Sequence, residues 1–385
     1  MSFTETQEQR ALRSAAGELG SRYGYQYYIE RARSGGRLTE LWQEAGKLGF
    51  LGVNLPERYG GGGAGMYELS LVLEELAAAG CGLLMMVVSP AICGTIIARY
   101  GTAEQQQRWL PGLASGSVIM AFGITEPDAG SNSHKLTTIA RRDGGDWLLT
   151  GRKIYISGVD EAEAVLIVGR TQDARTGRLR PALFAVPVSA PGFSYRPLPM
   201  DLVTPEKQYL LFLDDVRLPA EALIGVQDAA LMQLFAGLNP ERIMGAAMSA
   251  GTGRYALGRA VSYAGQRTVW DQPIGAHQGI AHPLAQIKIE IELARLMLQK
   301  AATLYDDGDD KGAGEAANMA KYAAAEASAR AVDQAVQTLG GSGLTSEFGI
   351  APLLAMSRVS RVAPVSREMV LNFVAQTSLG LPRSY

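Results

Sequence analysis

The segment Phe122-Gly-Ile124-Thr125-Glu-Pro-Asp-Ala-Gly130-Ser131-Asn132 is too punctuated to be a plain strand. Glycine there lets a backbone approach a ligand closely, while Thr125 and Ser131 offer hydroxyls and main-chain N–H groups. Further along, Lys153-Ile-Tyr155-Ile-Ser157-Gly158 presents an aromatic ring and a hydroxyl, and Leu238-Asn239-Pro240-Glu241-Arg242 presents a carboxylate able to take up a proton. Arg267-Thr-Val-Trp270-Asp-Gln-Pro-Ile274-Gly-Ala-His277-Gln278 groups a cation, an indole and an imidazole, and Gln337-Thr-Leu-Gly340-Gly341 places small residues at a helix end. Taken singly, each has a structural reading: an ordinary turn, a core tyrosine at 155, a solvated cation at Arg267, a satisfied His277. Glu241 has one as well. Proline fits the first turn of a helix and an acidic residue there is favoured by the helix dipole, so Pro240-Glu241 reads locally as a helix start. The joint order of the segments, rather than any one residue, carries a functional reading.

Two glycine patterns are set aside. Gly251-Thr-Gly253-Arg-Tyr-Ala256 resembles a dinucleotide fingerprint but lacks the preceding strand and following crossover helix, and sits in a stretch, Glu241 to Arg267, that reads as one helix. The string Gly60 to Gly63 reads as a loop.

The elements that must position these residues come in three blocks. Up to about Gly116 the period is helical, as from Tyr67 to Ala79. From Met120 to about Ile224, short apolar runs at Asp146–Leu149, Lys153–Ile156, Ala164–Val168, Ala182–Val186 and Tyr209–Leu213 alternate with Gly, Pro and Asp turns, which predicts a small all-β domain. The helical period then returns: Leu284, Ile287, Ile291, Ala294 and Leu298 share a face, as do Ala320, Ala324, Ala327, Ala331, Ala335 and Leu339. Long antiparallel helices joined by short polar connections such as Tyr305 to Gly314 predict a bundle. Domain limits are expected at 1–118, 119–230 and 231–385.

Lys+Arg 36 against Asp+Glu 38 gives a formal charge of −2, with no general attraction for nucleic acid or an anionic membrane, so an anionic ligand must be held locally. Cys81 and Cys93 have no partner at metal-ligand spacing and read as free core thiols; no metal is expected. Neither a signal peptide nor a membrane span is visible, and a reducing cytoplasm is the expected location.

At this point the chain resembles the acyl-CoA dehydrogenase family. The segment at 122–132 resembles the family's Thr/Ser-Glu-Pro-x-x-Gly-Ser-Asp run, which wraps the ring and pyrophosphate of FAD, with Asn132 in place of Asp. Lys153 to Gly158 resembles its Trp-Ile-Thr-Asn strand, making Tyr155 and Ser157 the residues beside the flavin. The segment from Arg267 resembles Arg-x-x-Phe-Gly, whose Arg reaches the FAD pyrophosphate of a neighbouring subunit, with Asp271 where the family has Gly; a guanidinium suits that phosphate pair. Gln337 to Gly341 resembles Gln-x-x-Gly-Gly, which lies against the adenosine half. The resemblance covers nearly the whole chain. It implies a helical N-terminal domain, a central β-barrel and a C-terminal four-helix bundle in a homotetramer, with FAD bound by Phe122, Ile124, Thr125, Gly130, Ser131, Tyr155, Ser157, Arg267, Trp270, Ile274, His277, Gln337, Gly340, Gly341, Ser366 and Glu368. It implies oxidation of an acyl-CoA held by Ser131, Leu238, Asn239, Arg242 and Pro364, with hydride passing to flavin N5 and electrons to an electron-transfer flavoprotein.

Two departures matter. Most of the family takes the α-proton with the Glu of a C-terminal Tyr-Glu-Gly-Thr segment, where this chain has Ala363-Pro364-Val365. A minority branch, including isovaleryl-CoA dehydrogenase, places the Glu immediately before an Arg on the first long C-terminal helix, which assigns the base to Glu241, with Arg242 orienting it. The family also binds the thioester oxygen with the main-chain N–H at the position of Pro364, and proline has none. Either the ribityl hydroxyl of FAD acts alone or a shift of one residue presents the Val365 N–H. The alternatives are an oxygen-using acyl-CoA oxidase or flavin monooxygenase-like relative, and a non-catalytic flavin-binding relative. The run Leu83 to Val87 reads either as substrate-pocket lining or as core.

Overall fold

The computed structural model describes residues 4–173, 176–226 and 230–383; residues 227–229, at the expected end of the β-rich block, lie outside the described residues. Six helices lead: α1 (Gln7–Ser34), α2 (Thr39–Lys47), α3 (Met66–Ala78), α4 (Leu84–Met86), α5 (Thr95–Tyr100) and α6 (Ala103–Ser115). Between α4 and α5, the run Val87–Gly94 winds as a π-helix containing Pro90. Leu83, Met85, Met86 and Val87 are buried in the helical core with Leu84 packed against it. Cys81 and Cys93 are buried and free.

The middle of the chain is one eight-stranded sheet: β1 (Met120–Gly123), β2 (Ile139–Asp143), β3 (Asp146–Ser157), β4 (Ala164–Gln172), β5 (Leu179–Pro187), β6 (Phe193–Pro197), β7 (Gln208–Leu218) and β8 (Leu223–Ile224). Its order is β6-β7-β3-β2-β4-β5-β8, with β1 parallel to β4. β4 and β5 pair without a break from Ala164↔Pro187 to Gln172↔Leu179. β4 reads as a continuous apolar run because both its faces are covered. Val165 and Ile167 pack with Trp147, Phe184 and Leu211, whereas Ala164, Leu166 and Val168 pack with Ile92, Ile96 and Leu110 of the N-terminal helices.

The last block is α7 (Ala230–Gln266), a two-stranded hairpin of β9 (Thr268–Val269) and β10 (Gln272–Pro273), α8 (Gln278–Asp306), α9 (Asp310–Leu339), α10 (Pro352–Val362) and α11 (Arg367–Phe373). The small residues of α9 admit α7 closely. Gly251, from the set-aside fingerprint, lies mid-helix, where an added Cβ would come 2.3 Å from the Glu74 carbonyl oxygen, so that glycine serves helix contact. The connection between α8 and α9 is shorter than the Tyr305 to Gly314 stretch predicted: only three residues separate the helices, because Asp309 caps α9 by accepting from Gly312 N at 2.9 Å.

The N-terminal and C-terminal helices share one core, in which Leu69, Leu73 and Leu76 of α3 meet Ile243, Ala247, Ile291 and Ala320. Buried Glu74 of α3 is held there by Arg254 of α7 at 2.7 Å and Arg295 of α8 at 2.6 Å. Arg13 of α1 pairs with the neighbouring Glu75.

A larger difference concerns α7. Glu241 is not at a helix start: the helix begins by Ala230, and Pro240 stands inside it. An interior proline has no N–H for the carbonyl four residues back, here that of Ala236. The Tyr305 hydroxyl donates to that carbonyl at 2.8 Å, which lets the helix run through. The helix-start account of Glu241 is thereby removed. Tyr305→Phe should leave a buried carbonyl unsatisfied and cost about 1–3 kcal/mol in denaturant unfolding. Adding Pro240→Ala, which restores the N–H, should recover part of that loss.

Candidate active site

The segment after β1 is anchored by a buried ion pair. Glu126 and Lys153 are 3% and 0% exposed, and Lys153 Nζ donates to a Glu126 carboxylate oxygen at 2.8 Å and to the Ile124 carbonyl at 3.0 Å. The carboxylate also accepts from Thr137 N at 2.6 Å, Thr137 Oγ1 at 2.7 Å and Thr138 N at 2.9 Å. Burial opposes the Glu126 charge, but Lys153 and these donors overcome it and hold the carboxyl down to about 2; burial draws the Lys153 ammonium down to about 8. The Thr125 carbonyl accepts from Ile154 N at 2.9 Å. Phe122 is therefore buried and Ile124 half-buried, whereas Thr125 is half-exposed and Gly130 and Ser131 are exposed.

The same lysine strand carries Tyr155. β3 breaks register with β7 between Lys153 and Ile156, and Tyr155 takes φ +60° in that irregularity. A tyrosine with left-handed backbone is uncommon. The ring is 59% exposed, so the reading of Tyr155 as core is overturned: the bulge turns it outward. Ser157 is tied to Gln208 on β7, whose side-chain nitrogen donates to Ser157 Oγ at 2.9 Å.

A second group gathers beyond α7. Trp270 and Asp271, with φ +49° and +63°, form the two-residue turn of the β9–β10 hairpin, in which Gln272 pairs Val269. Asp271 thus adopts the conformation that Gly would take more easily. Trp270 is 83% exposed, edge-on to His277 with ring centroids 5.9 Å apart, and His277 Nε2 is buried without a hydrogen-bond partner among the described residues. Ile274 is half-buried, its N–H donating to the Arg267 carbonyl at 2.8 Å. Arg267 is exposed, with no side-chain hydrogen bond or ion pair among the described residues. Gln337, Gly340 and Gly341 are exposed where α9 ends. They stand near the same end of α7, since Tyr263 Oη lies 3.5 Å from Ser342 Oγ. At Gly130, Gly340 and Gly341 an added Cβ would meet nothing within 4 Å. At Gly340 the backbone, at φ +58°, itself favours glycine; at Gly130 and Gly341 neither packing among the described residues nor backbone conformation calls for it, whereas a ligand backing onto bare backbone would. Open glycines, outward aromatic rings and an unpaired guanidinium fit a flat, aromatic, doubly phosphorylated cofactor.

The third group surrounds Glu241. Its side chain is half-buried and, among the described residues, accepts no hydrogen bond and makes no ion pair. Burial lifts its carboxyl to about 7, against the opposing pull of Arg242 and Lys321. Arg242 does not orient Glu241 by contact: its Nε donates to Asn318 Oδ1 at 3.1 Å and its Nη1 to the Leu238 carbonyl at 2.7 Å. Asn239 is buried, its amide reaching the Asp310 carbonyl at 3.4 Å, while Leu238 is half-buried. Pro364 packs over Gly245, one turn beyond Glu241 on the same helix face, its Cδ 3.8 Å from where a Cβ would stand. Ser366 caps α11 by accepting from Met369 N at 3.3 Å, and Glu368 is exposed and paired with Arg367 at 3.3 Å.

Sequence reasoning did not single out Glu126, Lys153, Gln208, Asn318 or Lys321. A signal existed for two of them. Lys153 is a cation inside an apolar strand, and Lys321 falls within the small-residue stripe between Ala317 and Ala324; at either place an unpaired charge would be prohibitive. Lys153→Met should destabilise the chain by about 3–5 kcal/mol, because it leaves Glu126 buried without its cation. Pairing it with Glu126→Gln should cost less than the sum of the single changes, as thermal or denaturant unfolding would read out.

Three family profiles match in order: acyl-CoA dehydrogenase N-terminal domain over residues 6–117, middle domain over 121–216 and C-terminal domain over 232–379. Acyl-CoA dehydrogenase FadE12 of Mycobacterium tuberculosis is 70% identical over 384 residues, covering 100% of this chain and 99% of that protein. Butyryl-CoA dehydrogenase of Megasphaera elsdenii superposes with a TM-score of 0.92 at 28% identity, covering 98% of this chain and 100% of the other. Glutaryl-CoA dehydrogenase of Mycobacterium smegmatis in complex with FADH2 superposes with a TM-score of 0.89 at 28% identity, covering 99% and 97%. With matching domains in the same order along the whole chain, this protein belongs to the acyl-CoA dehydrogenase family of flavin-dependent oxidoreductases.

Proposed function

We propose that the chain dehydrogenates an acyl-CoA thioester between its α and β carbons, with Glu241 taking the α-proton. The observation that carries this reading is the state of Glu241: half-buried, lifted to about 7, and engaged by no hydrogen bond among the described residues. A carboxylate committed to a structural ion pair, as Glu126 is, is withdrawn from proton transfer; Glu241 is free for it. The charge developing on the thioester oxygen needs donors, and residue 364, as proline, offers no N–H. The donors are then the Val365 N–H, the ribityl hydroxyl of the cofactor, or both. FAD, when bound, supplies a two-electron acceptor for the β-hydrogen. Thr125, Gly130, Ser131, Tyr155 and Ser157 would hold it on one side, and Arg267, Trp270, His277, Gln337, Gly340 and Gly341 on another.

Among the described residues no hydrogen bond or ring contact joins these two groups within one chain, which favours a cofactor shared between subunits. A homotetramer supplies such a junction, and the exposed Ile289, Leu293 and Leu296 along α8 give it an apolar surface. Leu238 and Arg242 face the CoA side. Asn239 contributes there through the position of its helix, its amide being engaged at Asp310. Ser366 and Glu368 act on the cofactor side by starting α11. Electrons leave to an electron-transfer flavoprotein in the cytoplasm, and the domain limits 1–118, 119–230 and 231–385 stand as working boundaries. An oxygen-using reaction is the second reading, favoured by Pro364; oxygen consumption without an added acceptor separates it from the first.

Anaerobic bleaching of the flavin by straight, branched and cyclic acyl-CoAs tests the proposal. Glu241→Gln should keep FAD and slow bleaching by about 10²–10⁴-fold. A general base works deprotonated, so the rate should rise with pH through about 7 and fall about tenfold for each unit below it. Equal bleaching by wild type and Glu241→Gln would sink the assignment of the base. Absence of bleaching by every thioester would sink the acyl-CoA reading.

A further inference from the structure

The buried lysine opposite Glu241 has no place in the account so far. Lys321, on α9, is 2% exposed. Its ammonium donates to the Val365 carbonyl, and among the described residues it makes no ion pair. Burying an ammonium without a bonded carboxylate is unfavourable by several kcal/mol, and Met or Leu would fill the same stripe of α9 without that cost. The two things the cation does have both belong to the site. One is the turn just after Pro364, which lies over Gly245 of α7; the other is the charge of Glu241, one turn back on that helix.

We infer that Lys321 is a positioning residue for proton abstraction: its bond to the Val365 carbonyl clamps the Pro364-Val365 turn over the face of α7 that carries Glu241 and brings a buried cation to that site. The inference rests on the reading of Glu241 as the base. Because residue 364 has no N–H, the placing of Val365 falls to contacts such as this clamp. Burial pushes Lys321 down to about 8, aided by Arg242 and opposed by Glu241, Glu326 and Glu368. Other groups surround the pair. Arg242 lies beside Glu241 on α7; Cys93 packs from the Val87–Gly94 segment, its buried thiol held well up in part by the Glu241 charge. Glu326 of α9 is engaged by Arg361 of α10 at 2.7 Å and Arg367 of α11 at 3.7 Å, and Glu368 by Arg367. Lys321 is the cation in this set that both touches the turn and acts on Glu241.

The test compares Lys321→Met, Lys321→Gln and Lys321→Arg as FAD-loaded proteins. The first readout is the pH dependence of substrate-driven bleaching. The second needs no substrate: the infrared carboxyl band of protonated Glu241, identified by its loss in Glu241→Gln, followed against pH. In Lys321→Met and Lys321→Gln both the rate limb and the carboxyl band should move up by about one pH unit, and Lys321→Arg should bring them back toward wild type. Should Lys321→Met fail to fold, Lys321→Gln, which keeps a donor for Val365, carries the same comparison. An unmoved carboxyl band in both Lys321→Met and Lys321→Gln would overturn the inference and leave Lys321 a packing residue. Full bleaching by Glu241→Gln, with the band still shifting in the Lys321 variants, would instead overturn the base assignment and with it the catalytic part of this inference.

Discussion

The ammonium of Lys153 buried against the carboxylate of Glu126 is the contact on which the middle of this protein depends. It joins the segment after β1 to the strand that carries Tyr155, two stretches that sequence reasoning treats as separate motifs. Four further interactions converge on it: three donors from Thr137 and Thr138 to the carboxylate, and the Ile124 carbonyl on the lysine. A buried pair is retained in a fold when further donors and acceptors satisfy it, and here both oxygens of the carboxylate and two protons of the ammonium are engaged. Fixed at this point, the loop has little freedom except at its exposed tip, where Gly130 and Ser131 stand. Rigid support beneath and bare backbone above is the arrangement that a tightly held cofactor requires.

Two charged clusters divide the work of the fold in opposite ways. At Glu126 the carboxylate is answered by Lys153 and its donors and is driven down; at Glu241 the carboxyl is left without a hydrogen bond among the described residues and is driven up. The difference follows from the neighbours. Strand β3 delivers its lysine directly to Glu126, whereas Arg242 turns away to Asn318 and Lys321 spends its proton on the Val365 carbonyl. One fold thus holds one carboxylate tied down by its donors and another left unbonded, at the position proposed for the base.

Much of this was legible in the residues. The three-block order, the apolar runs of the sheet and the two C-terminal helix faces follow from periodicity, because burial enforces a period of two on half-covered strands and of 3.6 on helices; the runs Asp146–Leu149 and Lys153–Ile156, read as separate, are one strand, β3. What was not legible needed a partner distant in sequence. The N-terminal extension of α7 across Pro240 looked like a boundary, since nothing local announces that Tyr305, far along the chain, will satisfy the Ala236 carbonyl. Tyr155 in its run of apolar neighbours passes equally for a core residue; only the bulge against β7 decides its direction. The site segments were recognised as motifs, yet the residues holding them, Gln208 and Asn318 among them, carry no local mark.

The core shared by the first and last helices has a further consequence for how the chain comes to be folded. Leu69, Leu73 and Leu76 find their partners on α7, α8 and α9, and Glu74 finds its cations at Arg254 and Arg295. During synthesis the N-terminal helices emerge well before those partners exist, presenting an apolar face and an unpaired carboxylate. The middle sheet, whose ladders close largely within residues 120–224, can assemble first. Ile92, Ile96 and Leu110 have β4 to pack on at that stage, but the α3 face must wait for the C-terminal helices to leave the ribosome, so the core that joins the two ends of the polypeptide closes last.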